Sequence, residues 1–303
     1  MAIMETTAAA PTAKLSILQA SGLMLAYSII YVLPLYASDT TRPSPSRSRD
    51  DPATIRARVR AVTLSTTACS VVTLITAYRL SQLHSAVYLM GYWPIRLVES
   101  AKVLLLTAIL FAAPLYESLF IEGGWHHILP GLQRLWQSWP EWRNIVAGPV
   151  TEECLFRSAV VPLLVLAQAS PSSIIFLSPL LFGCAHVHHF YEFRLTNPGV
   201  PIYAAVARTI IQLAYTSLFG AYVTFLFLQT GSLLAVVLVH AFCNSLGLPR
   251  VWGYMEPYWL PVNTSKGTLL KWTIPYYVFL VGGLICWWQN MYLLTDSHFG
   301  LLK

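Results

Sequence analysis

Long apolar runs separated by short polar stretches recur along the whole chain. A helix needs about 20 residues to cross the hydrocarbon core of a bilayer. Runs that approach or exceed this length fall at 15–36, 61–78, 103–120, 144–166, 172–190, 204–228, 231–248 and 272–290. The pattern predicts an all-α, polytopic integral membrane protein with about eight transmembrane helices, the sixth and seventh joined only by a turn at Thr230-Gly231. Neither an internal repeat nor a soluble insertion interrupts the runs, so residues 1–303 are expected to form a single membrane-embedded domain. The first run exceeds a signal-peptide core and lacks a closing small-residue cleavage pattern, so it is expected to remain as an anchor.

Composition agrees with that pattern. A chain that is 56% hydrophobic and only 11% charged cannot cover a soluble surface with polar groups. Its formal charge of +6 does not call for nucleic acid as a partner, because Lys and Arg also collect in the cytosolic loops of membrane proteins. Residues 37–60 form a basic, Ser/Pro-rich loop carrying Arg42, Arg47, Arg49, Arg56, Arg58 and Arg60. Such a stretch reads as a flexible cytosolic loop lying near anionic headgroups. With alternating spans, thirteen of the 19 basic residues share its side, five take the other, and Arg157 lies inside a span. The bias predicts a lumenal N-terminus. Cys69, Cys154, Cys184, Cys243 and Cys286 all sit in apolar runs without a CxxC pair, and read as small buried hydrophobes rather than disulfides or a zinc knuckle.

Against this background the charges inside "GPVTEECLFRSAVV" (148–161) require an explanation, since each uncompensated charge in a span costs at least a few kcal/mol. Glu153 and Arg157 are four residues apart on one helical face and can pair. Glu152 points about 100° away and is free to meet another partner. At 1.5 Å per residue Glu152 lies roughly 12 Å below the cytosolic face, His186 about 10 Å, His240 roughly 12 Å and Asn244 about 6 Å. Three spans thus bring polar groups to similar depth. Gly148-Pro149 is expected to kink or restart the helix just before the acidic pair.

Other polar residues have simpler readings. His188, His189 and Glu192 are expected at the cytosolic interface, with His189 and Phe182 as further residues that contact substrate. Glu117 either lines the cavity or lies near the lumenal boundary. Trp125, Trp136, Trp139 and Trp142, with His126 and His127, read as an interfacial segment with rings at headgroup level.

Glu152, His186, His240 and Asn244 supply a carboxylate, two imidazoles and an amide, the parts needed to activate a water and stabilise an oxyanion. No GxSxG or HExxH occurs. "EECLFR" fits EExxxR, "FGCAH" (Phe182 to His186) fits FxxxH, and "HAFCN" (His240 to Asn244) fits HxxxN. In this order on three apolar segments, the motifs resemble the type II CAAX prenyl endopeptidases, and their flanks resemble the eukaryotic branch, over a catalytic core of about 141–250. The resemblance implies removal of the C-terminal aaX tripeptide from farnesylated or geranylgeranylated CaaX proteins such as small GTPases, in the endoplasmic reticulum membrane at a cavity open to the cytosol. It implies that Glu152 and His186 activate water, that His240 and Asn244 hold the oxyanion, and that Glu153 and Arg157 position them, with no metal or other cofactor. Two alternatives stand beside it. One is a zinc-dependent intramembrane hydrolase using Glu152, His186 and His240 as ligands. The other is a transporter or receptor, for which polar residues on more spans and a repeat would be expected.

Overall fold

The computed structural model describes residues 15–81 and 83–301, and among these the chain is helical with no strand. In chain order the helices are α1 (Ile17–Val32), α2 (Pro52–Leu80), α3 (Leu83–Leu89), α4 (Leu97–Leu110), α5 (Ala112–Tyr116), α6 (Ile128–Gln137) and α7 (Trp139–Trp142). They continue as α8 (Gly148–Glu153), α9 (Val160–Leu166), α10 (Pro171–Ala185), α11 (His188–Thr196), α12 (Ile202–Thr230), α13 (Leu233–Leu246) and α14 (Lys266–Thr295). Their starts follow local chemistry. Asp51 caps α2 by accepting from the amides of Ala53 and Thr54 at 2.9 and 3.0 Å, with Pro52 in the first turn where no amide donor is needed. Ser170 caps α10, Ser232 caps α13 and Ser265 caps α14 in the same way.

Five stretches are long and apolar enough to cross a membrane: Ile17–Tyr36, Pro52–Leu80, Pro171–Thr196, Ile202–Thr230 and Lys266–Thr295. Leu97–Leu110 and Ala112–Ile121 together make a sixth, bent by 80°. The protein is therefore a multi-pass membrane protein. The remaining two runs take different forms. Helix α13 is apolar but short, and the 144–166 run is broken into α8 and α9 by π-helical turns at Arg143–Ala147 and Cys154–Ala159. The expected restart at Gly148 thus coincides with the end of the first π turn. Lys14 and Lys303, two of the five basic residues expected opposite the 37–60 loop, lie outside the described residues.

The broken segment is the hub of the bundle. Leu155, Phe156, Val160, Val161 and Leu163 are buried among Val223, Leu226 and Phe227 of α12 and Val236 and Val239 of α13. Many polar groups inside the bundle find partners, as burial in an apolar medium favours, while Arg96 Nε and Nη2, Glu153 Oε2, Ser217 Oγ and Trp287 Nε1 are buried without a hydrogen bond. Thr73 donates to the carbonyl of Ala159 at 2.9 Å and Ser158 to that of Met90 at 2.6 Å. The turn between α12 and α13 uses Gly231 at φ +59°, and its carbonyl accepts from the buried Arg96 guanidinium. Outward faces instead carry exposed Leu18, Ile29, Leu64, Leu218 and Val278, the distribution a lipid solvent favours.

Two sequence expectations change here. Cys69 and Cys243 are buried and Cys154 partly so, but Cys184 and Cys286 are exposed. Residues 37–60 do not run free. Ser38 and Thr41 exchange hydrogen bonds, Arg58 Nε donates to the Thr41 carbonyl at 2.7 Å, and Arg143 pairs with Asp50 at 2.9 Å, so the basic loop is folded against the bundle.

Candidate active site

The i, i+4 spacing of Glu153 and Arg157 produces the ion pair it suggests, with Nη1 3.1 Å from Oε1 and both side chains almost fully buried. Arg157 also donates through Nη2 to the Gly220 carbonyl at 3.3 Å, and its guanidinium lies 4.7 Å above the Phe182 ring. A guanidinium satisfied on several sides can stay charged where water is scarce.

The same Glu153 oxygen accepts a second hydrogen bond, from His240 Nδ1 at 2.6 Å. An ionised carboxylate only accepts, so Nδ1 is the donor and Nε2 points the other way. It points toward Glu152, whose Oε2 is 3.9 Å away. Both glutamates therefore address one imidazole, Glu153 from behind and Glu152 from the cavity side, although their directions differ along the helix. The Phe219 ring, 4.8 Å from the imidazole, packs against His240 from α12.

Glu152, His186 and Asn244 line one cavity of about 190 Å³, shared with His188, His189, Phe156 and Tyr31. Its lining also includes Arg49, Arg58 and Arg143. His186 Nδ1 donates to its own helix at the Phe182 carbonyl, 2.8 Å away, which leaves Nε2 as an acceptor. Asn244 Nδ2 donates to the Asn144 carbonyl at 2.8 Å in the first π turn, leaving its second N–H free to act. The π turns thus serve the site directly: one presents the Asn144 carbonyl and the other carries Arg157.

Several sequence expectations are corrected. Phe182, expected to contact substrate, is 2% exposed and packs under Arg157 and against His186, ring centroids 4.7 Å apart, so its ring is buried beneath the residues that line the cavity. Glu117 does not line the cavity. It pairs with Arg250 at 2.8 Å, near the end of α13, on the side assigned as cytosolic. Glu152, His186 and His240 do not gather as a ligand set. Among the described residues, the His/Cys/Asp/Glu group whose ligand atoms lie within 4.8 Å of one another is His188, His189 and Glu192. In that group the Glu192 carboxylate is held by Arg58 at 2.8 Å and His189 at 3.2 Å. Asn144, Arg49, Arg58 and Arg143 also line the cavity. The only sequence signal for them was the density of basic residues in the 37–60 loop and the span entry at residue 144.

Gly220 shows how tightly the support is packed. A Cβ there would lie 2.7 Å from Pro179 Cβ, 3.2 Å from Arg157 Nη2 and 3.3 Å from Phe182 Cδ1. Gly220→Ala is expected to destabilise the fold by about 1–3 kcal/mol. The effect is read as a lower Tm in detergent.

The fold and site together define a polytopic membrane protein with a polar, Glu/His/Asn-lined cavity between its helices. Comparison with known proteins narrows the class. The family model for type II CAAX prenyl endopeptidase Rce1-like proteins matches residues 134–246. The chain is 40% identical to the probable CAAX prenyl protease 2 of Schizosaccharomyces pombe, covering 75% of this chain and 80% of that protein. It is 34% identical to CAAX prenyl protease 2 of Arabidopsis thaliana, covering 74% and 78%. It is 32% identical to CAAX prenyl protease 2 of Homo sapiens, covering 77% and 71%. The chain belongs to the type II CAAX prenyl endopeptidase family. No solved structure matches it.

Proposed function

We propose that this protein removes the aaX tripeptide from farnesylated or geranylgeranylated CaaX proteins, at a cavity open to the cytosol in the endoplasmic reticulum membrane. The observation that carries this reading is the position of His240, hydrogen-bonded to Glu153 on one side and 3.9 Å from Glu152 on the other. A prenyl chain is nearly as apolar as lipid, so its peptide reaches only a site accessible from both bilayer and water.

In this mechanism Glu152, assisted by the acceptor Nε2 of His186, takes a proton from a water whose oxygen attacks the carbonyl carbon of the prenylated cysteine. The carbonyl π electrons move onto oxygen. The resulting oxyanion is met by the free N–H of Asn244 and, when His240 is protonated, by its Nε2–H. The tetrahedral intermediate collapses with cleavage of the C–N bond. Glu152 returns the proton to the leaving nitrogen, giving a prenylcysteine carboxylate and a free tripeptide. Glu153 and Arg157 hold His240 in its orientation. His189, on the cavity wall, contacts the bound peptide.

An oxyanion donor acts mainly in the transition state, so its removal is read in kcat rather than KM. Asn244→Ala is expected to lower kcat on a farnesylated CaaX peptide about 10²-fold with little change in KM. A wild-type kcat in that variant would remove Asn244 from the mechanism.

A further inference from the structure

The basic loop contributes to the same cavity as Glu152, which headgroup binding does not require. Arg49, Arg58 and Arg143 all line it, at 45%, 15% and 18% side-chain exposure. Arg58 is committed to structure through the Glu192 carboxylate and the Thr41 carbonyl. Arg49 and Arg143 share one carboxylate: Asp50 lies 2.9 Å from Arg143 but 4.0 Å from Arg49. Among the described residues, Arg143 otherwise donates to neutral acceptors, the Arg49 carbonyl at 3.1 Å and the Asn144 side-chain oxygen at 3.0 Å. The neighbouring Asp51 carboxylate is occupied as the α2 cap. Burial, then the charge of Arg49, pushes Arg143 below its usual pKa against the opposing pull of Asp50.

We propose that Arg49 and Arg143 bind the free α-carboxylate at the C-terminus of the substrate, and thereby set how far from the chain end the cut is made. This assignment rests on the protease reading above. A CaaX substrate presents its terminal carboxylate three residues beyond the scissile bond, a reach of about 10 Å when extended. The same cavity then holds the charged end of the peptide at Arg49 and Arg143 and the bond to be cut at Glu152 and His186. Guanidinium groups suit this task because their planar donors match a carboxylate and remain charged at all relevant pH. The folded 37–60 loop becomes part of the substrate site, and prenylated chains that end a residue early or late would be misregistered.

The test uses the full-length protein in liposomes and two farnesylated peptides of one sequence, one ending in a free carboxylate and one in a carboxamide. Wild type is expected to favour the free acid by about 10-fold in kcat/KM, the worth of one charged hydrogen-bonded contact, expressed mainly in KM. Arg49→Gln/Arg143→Gln is expected to erase that preference. Arg49→Gln alone, at a half-exposed position, is expected to weaken it and gives the readout should the double variant not fold. Equal cleavage of acid and amide by wild type overturns the assignment. So does an equal loss on both peptides in the variants, which would mark a structural or lipid-headgroup role. A wild type that cuts neither peptide overturns the protease reading and this assignment with it.

Discussion

Replacing Glu152 with alanine is expected to take tripeptide release from a farnesylated CaaX peptide below detection, a fall of about 10⁴-fold, while the protein still inserts and keeps its Tm. The side chain faces the cavity at 21% exposure and makes no hydrogen bond on which the bundle depends, so its removal separates chemistry from folding. Both proton transfers run through this carboxylate in the proposed mechanism, which is why the loss should be large. Glu152→Gln keeps the volume and should be equally inactive. Substantial activity in either variant would remove Glu152 from the reaction.

The opposite split is expected for Arg157→Met. Arg157 is 1% exposed and carries the Glu153 charge, the Gly220 carbonyl and the face of Phe182. Methionine fills much of the volume but leaves a buried carboxylate without its cation, a loss of about 3–5 kcal/mol. The protein should show a markedly lower Tm in detergent and higher protease sensitivity. Because Glu153 also anchors His240, the surviving folded fraction should have reduced kcat. The double variant Glu153→Gln/Arg157→Met removes the orphaned charge, so it should recover much of the Tm but little of the activity. An Arg157→Met protein of unchanged Tm would contradict the buried-pair account.

The helical character and most spans were legible because bilayer-length apolar runs have a strong sequence signature. The pairings four residues apart were equally legible: Glu153 with Arg157 follows from helix geometry. Partners distant in sequence were not. Nothing in the local pattern indicates that His240 meets Glu153 across 87 residues, or that Arg58 meets Glu192 across 134. The Ser/Pro-rich, basic composition of the loop predicts a flexible stretch near the headgroups, yet Arg58–Glu192 and Arg143–Asp50 fold it down. Phe182 shares a helical face with His186, and spacing alone does not say whether that face looks into the cavity or into packed protein. The π turns likewise leave no clear mark in the sequence, and they explain why the run at 144–166 is not one continuous span.

The most direct test of the central claim is mass spectrometry of products formed by the purified protein in liposomes from a farnesylated CaaX peptide, in the presence of a strong metal chelator. The account predicts one new pair of products, the intact aaX tripeptide and a peptide ending in farnesylcysteine, at the rate seen without chelator. Activity that disappears on chelation and returns with added zinc would contradict it, as would release of single residues one after another or no cleavage at all.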